Sequence, residues 1–110
     1  MIIDFSKIEE QYIQAFKGGN GQLRTRNFVD EDNKIMMSEL APGANIGYHK
    51  HEINSEIICI ISGKGYVDFE GMKENVVAGS VHYCPKGKSH ALFNNGEEVL
   101  KYFAIVGEHH

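Results

Sequence analysis

Cysteine, proline and arginine each occur only twice in this chain of 110 residues. Cys59 and Cys84 stand 25 residues apart with no second cysteine near either, so neither belongs to a CxxC zinc or redox motif, and both read as buried free thiols of a reducing compartment. No block of Lys and Arg is present and the net charge is −4, which argues against a nucleic-acid backbone as partner. The longest apolar run, Ile57 to Ile61, is far too short to span a membrane. The opening "MIIDFSKIEE" has no basic region and its apolar start is broken by Asp4, so it does not read as a secretory signal, and a cytoplasmic protein is expected. What remains is an ordinary soluble composition, 42% hydrophobic and 24% charged, in a chain of single-domain length.

Ser6 and Glu9 have the spacing of a capping box. Ile8, Tyr12 and either Ala15 or Phe16 continue at helical spacing, so one short N-terminal helix is expected, ending near Lys17. Residues 1–20 then form a helix and lead-in, and residues 21–110 the body of the domain. Beyond "GGNG" the pattern changes to short β-rich runs broken by Gly and Asn: "QLRTRNFV", "KIMMSEL", "NIGYHKH", "EIICII", "GYVDFE", "KENVV", "VHYC", "HALF" and "VLKYFAIV". Nine short strands, with turns every eight or so residues and almost no proline, imply an all-β antiparallel sandwich or small barrel. "EIICII" and "YFAIV" are apolar at both parities, as in strands covered on both faces, and a homodimer is the expected source of the outer cover.

The chemistry concentrates in "GYHKHEINSE", residues 47–56. Side chains alternate along a strand, so His49 and His51 project to one side about 6 to 7 Å apart. Glu56 can come alongside them if "EIN" turns a hairpin, and residues 52–55 have hairpin length. His90 follows the Pro-Gly turn of "PKGKSH" and begins a strand that can cross the same interior. Imidazole nitrogens with one carboxylate suit a divalent ion such as Mn²⁺, Fe²⁺, Co²⁺, Ni²⁺, Cu²⁺ or Zn²⁺. Four such ligands on an octahedral ion leave two positions open for chemistry. Two histidines at this spacing also occur on polar surface strands, so the pair alone does not decide the matter.

Two longer patterns do more. Gly43, His49, His51, Glu56 and Gly63 fit G-x5-H-x-H-x4-E-x6-G, and Gly79, Pro85, Gly87, His90 and Asn94 fit G-x5-P-x-G-x2-H-x3-N, with 15 residues between the two segments. In these positions the chain resembles the small single-domain cupins. The resemblance implies a double-stranded β-helix, or jelly-roll barrel, in which His49, His51, Glu56 and His90 hold one divalent transition metal. Gly63 and Gly87 then serve tight turns, and Pro85 fixes the approach to the second.

Counting by twos from the ligands places Gly47, Ile58, Ile60, Leu92 and Asn94 on the interior face, a mostly aliphatic lining suited to a small organic ligand held through its oxygens. His82, Cys84 and the tyrosines Tyr48, Tyr66, Tyr83 and Tyr102 are candidate supporting groups, although only one of His82 and Tyr83 can face inward. One of Met36 and Met37 must face inward as core or pocket wall. Arg24 and Arg26 share a parity and belong either to a solvated strand face or to one mouth of the barrel. His109 and His110 read as a frayed terminus or the remnant of a tag. The expectation is a metal-dependent enzyme, an isomerase, lyase or dioxygenase, acting on a sugar derivative or organic acid. The alternative is a non-catalytic module that binds a sugar or metabolite. Sensors of that kind often carry a helix-turn-helix domain, for which the chain has no room.

Overall fold

A computed structural model describes residues 1–110. Ten antiparallel strands build two facing sheets: β1 (Gln11–Gln14), β2 (Gln22–Val29), β3 (Asn33–Leu40), β4 (Asn45–Lys50), β5 (Asn54–Ser62), β6 (Lys64–Phe69), β7 (Met72–Val77), β8 (Val81–Cys84), β9 (Ser89–Phe93) and β10 (Leu100–Glu108). One sheet has the order β1-β2-β3-β10-β5-β8 and the other β4-β9-β6-β7. This is the jelly-roll barrel, and each of the nine strands read from the sequence is present.

The N-terminal helix is not formed. Asp4 caps a single 3-10 turn, Phe5–Lys7, accepting hydrogen bonds from the backbone N–H of Ser6 at 3.0 Å and its hydroxyl at 2.6 Å. The chain is extended again from Ile8, and Gln11–Gln14 pairs with β2 as the outermost strand of the larger sheet. A helix of about a dozen residues is marginal in water by itself. Strand pairing here adds interactions that no isolated helix offers: Arg24 donates to Glu10 at 3.0 Å, and Arg26 donates to the carbonyl of Ile8 at 2.7 Å. The two arginines therefore tie the N-terminal segment to β2. Neither lines the cavity described below.

A second tight turn, Phe16–Gly18, crosses behind β4 with Ala15 and Lys17 in left-handed conformations, at φ 53° and 56°. Gly47 makes that crossing possible. A Cβ at Gly47 would collide with the carbonyl of Lys17, and one at Gly19 with the carbonyl of Asn45.

Between the sheets the core contains Leu23, Met36, Leu40, Ile58, Ile60, Val67, Leu92 and Leu100, supplied by alternate positions of their strands. Met36 faces inward and Met37 outward, Ile58 and Ile60 are buried while Ile57 and Ile61 are exposed, and Tyr66 stacks on Phe93 at 4.6 Å. The outer parity of β5 thus lacks cover in the single chain.

Candidate metal centre

β4 and β5 belong to different sheets, so the hairpin expected at "EIN" does not exist. The four residues meet by another route. His49 lies directly across from His90 in the β4–β9 pair, His51 follows the end of β4, and Glu56 reaches in from β5 on the facing sheet. His51 is held at the strand end by two backbone bonds, its N–H to Lys88 O at 2.9 Å and its carbonyl to Gly87 N–H at 2.6 Å. Gly87, at φ 89°, turns the chain there.

Counting by twos fails at one point. The β4–β9 register slips between Ile46 and His49, so Ile46 rather than Gly47 shares the cavity with His49. Gly47 instead offers its carbonyl to His49 Nδ1 at 2.7 Å.

The donor atoms of His49, His51, Glu56 and His90 all lie within 4.8 Å of one another. Three form a nearly equilateral triangle: His51 Nε2 to His90 Nε2 is 3.0 Å, His51 Nε2 to Glu56 Oε1 is 3.2 Å, and His90 Nε2 to Glu56 Oε1 is 2.9 Å. Neighbouring ligands about 2.1 Å from one octahedral ion are about 3.0 Å apart. The triangle has the dimensions of one face of such an octahedron.

Proton bookkeeping supports the same fit. Gly47 O can only accept, so His49 Nδ1 carries the proton. Asn54 Nδ2 donates to Glu108 at 3.3 Å, which orients the Asn54 amide so that its Oδ1 faces His51 Nδ1 at 2.6 Å. In their neutral forms both rings therefore aim the Nε2 lone pair at the cluster, beside a carboxylate. Lone pairs and a carboxylate converging on one point demand a cation.

Burial lowers the affinity of His51 for a proton, but hydrogen bonds to Glu56 and Asn54 outweigh it and raise its pKa. Burial pushes Glu56 up, yet the close approach of His51 and His90 holds its carboxyl down at about 2. Burial lowers the pKa of His49 against the pull of the Gly47 carbonyl. His51, Glu56 and His90 are buried, and His49 is half-buried.

A cavity of about 330 Å³ opens beside the cluster. Ile13, Phe16, Met36, Ile46, Ile58 and Leu92 give it apolar walls, and Lys17, Lys34 and Lys50 line it as well. Thr25, Asn27 and Tyr102 add a polar patch, in which Thr25 Oγ1 lies 2.7 Å from both the Ser38 hydroxyl and Asn27 Oδ1. Burial raises the pKa of Tyr102, so it keeps its proton.

Among the other expected supporting groups, His82 faces inward and Tyr83 outward, while Tyr48 is exposed. Cys84 is buried and free, with burial pushing its thiol up to about 12, so it is no nucleophile. Cys59 is also free. Asn94 lies inside but serves structure: its amide donates to Leu40 O at 2.9 Å and Glu98 O at 2.8 Å, and its oxygen accepts from Gly96 N–H at 3.0 Å. His110 pairs with Asp32, and His109 with Ser55, away from the cluster. Asn54, Lys17 and the Gly47 carbonyl are participants that sequence patterns did not single out. Asn54, three residues after His51, is the one that local spacing makes findable.

Fold and site together define a double-stranded β-helix with a three-histidine, one-glutamate cluster at its mouth. The cupin-domain profile matches residues 36–106, and the chain belongs to the cupin family. It is 30% identical over 112 residues to an oxalate-binding protein of Thermotoga maritima, an alignment that covers 96% of this chain and 93% of the relative. A crystal structure from the same organism, described as a predicted oxalate decarboxylase, superposes with a TM-score of 0.92 at 27% identity, covering 99% of this chain and all of that one (100%). The cupin domain of Schizosaccharomyces pombe Cnp3 shares the fold, with a TM-score of 0.79 at 18% identity over 96% of this chain and 72% of that one.

Proposed function

We propose that His49, His51, Glu56 and His90 bind one divalent transition metal, and that the metal with its adjoining cavity takes up a small organic acid. The observation that carries this reading is the triangle of His51 Nε2, His90 Nε2 and Glu56 Oε1, with edges of 2.9 to 3.2 Å, beside an open cavity. Four protein donors leave two of six octahedral positions for ligand oxygens, which a bound metal would polarise as a Lewis acid. The three cavity lysines favour an acid over a neutral sugar. The Thermotoga maritima relative named for oxalate binding supports the same ligand class.

Turnover is the second reading, favoured by the apolar walls that Phe16, Ile46 and Leu92 give the cavity beside the cluster, a setting in which electrostatic interactions act more strongly than in water. Calorimetric titration of oxalate and larger dicarboxylates into metal-loaded protein tests binding, and release of formate or loss of substrate tests turnover. Binding that vanishes when the metal is removed supports the proposal. Equal binding with and without metal would overturn it.

We infer further that the protein is a cytoplasmic homodimer. Two free thiols support the compartment, and no helix of the structure is long and apolar enough to cross a membrane. Ile57, Ile61, Val81 and Tyr83, exposed on neighbouring strands β5 and β8, support a dimer through that outer face. Light scattering should give twice the chain mass, and Ile57→Lys should reduce it to that of one chain.

A further inference from the structure

His90 differs from the other two histidines of the cluster in what lies behind it. The outer nitrogens of His49 and His51 face amide oxygens, which can only accept. His90 Nδ1 instead faces His82 Nε2 at 3.0 Å, a ring nitrogen that can either donate or accept. His82 Nδ1 in turn lies 2.8 Å from Glu74 Oε1. The His82 side chain is 2% exposed, whereas that of Glu74 is 44% exposed on β7, across the gap between the sheets.

We propose that Glu74 and His82 form a directed hydrogen-bond chain that holds His90 in its metal-binding tautomer. A carboxylate accepts, so His82 Nδ1 donates to Glu74. Neutral His82 then has its lone pair on Nε2, and that lone pair accepts the Nδ1 proton of His90. With Nδ1 protonated, neutral His90 presents the Nε2 lone pair to Glu56 and His51. Reversing any link would place a proton on His90 Nε2, where a metal must bind. His82 is thus a positioning residue acting through His90, and Glu74 sets its direction from the surface. A histidine retained only to fill the gap between sheets needs neither a particular tautomer nor a carboxylate behind it. The inference rests on the metal-centre reading for its purpose but not for its geometry.

The test uses Co²⁺ alone, whose paramagnetism shifts the exchangeable N–H protons of bound imidazoles. Wild-type protein should show three such protons, one each from His49, His51 and His90. His82→Phe, which keeps a ring but removes the acceptor, should lose or move the His90 signal and weaken Co²⁺ binding by about 10- to 100-fold. His82→Gln, whose side-chain oxygen can accept, should recover part of the affinity. Glu74→Gln, on an exposed edge, should weaken binding about 10-fold with thermal stability unchanged. Wild-type affinity in His82→Phe, or weaker binding with the His90 proton unaltered, would overturn the proposal. Nitrogen-15 spectra of the metal-free wild type read the tautomer independently of any variant's folding: a proton on His90 Nδ1 supports the chain, and one on Nε2 alone overturns it. If Co²⁺ does not bind the wild type at all, the metal-centre reading fails, and those spectra still decide the hydrogen-bond chain.

Discussion

At the cluster each side chain is defined by what it lacks when alone. Glu56 is a buried carboxylate that stays ionised only through His51 and His90, and this fixes a pH dependence. Its folded pKa of about 2 lies below the ordinary 4.5, so its contribution to the stability of the metal-free protein is present above pH 4.5 and is lost as pH falls toward 2. Acid titration followed by circular dichroism should show that loss, and Glu56→Gln should abolish this component. His51 has the opposite sign, with a pKa raised above 6.5, so protons compete with metal and measured affinity should fall as pH drops below neutrality. Asn94 tests a different role. Replacing it with alanine leaves the carbonyls of Leu40 and Glu98 without its amide and should cost about 2 to 4 kcal/mol in chemical denaturation, while leaving the metal donors in place. The four cluster residues were legible in the sequence because their motif spacing is specific. Asn54, His82 and Glu74 were not assigned their roles, since a hydrogen bond to an outer ring nitrogen follows from three-dimensional approach and leaves no fixed spacing.

At the level of elements, strands were easier to read than what joins them. Alternation and Gly-Asn breaks revealed β2 to β10, because burial on one face imposes a period of two. The same local logic misplaced residues 6–17, where Ser6 and Glu9 imitate a capping box but Arg24 and Arg26, far along the chain, draw the segment into a strand. It also misplaced the partnership of β4 and β5, for a short connection between strands serves a crossing from sheet to sheet as well as a hairpin. As a result of the crossing, β4 and β9 present His49 and His90 from one sheet and β5 presents Glu56 from the other, while the segment Ala15–Gly18 lines the cavity behind β4. Gly47→Ala should push that segment away, since its new methyl would collide with the Lys17 carbonyl. The expected result is faster hydrogen exchange over residues 13–20 and weaker acid binding, with metal content retained.

For the whole molecule, drawing donors from both sheets makes a bound metal a tie across the jelly roll. A ligand that binds only the native state stabilises it in proportion to the logarithm of its concentration over its Kd. Metal should therefore raise the melting temperature in a concentration-dependent way, and an organic acid should raise it further only when metal is present. All of this requires that His49, His51, Glu56 and His90 form one metal site. Metal analysis of protein purified without a histidine tag, beside its His51→Ala variant, tests it most directly. Close to one transition metal per wild-type chain is expected, and a folded variant with little or none. A wild-type protein that stays metal-free after exposure to Mn²⁺, Ni²⁺ and Zn²⁺, or a variant that keeps its full metal content, would contradict it.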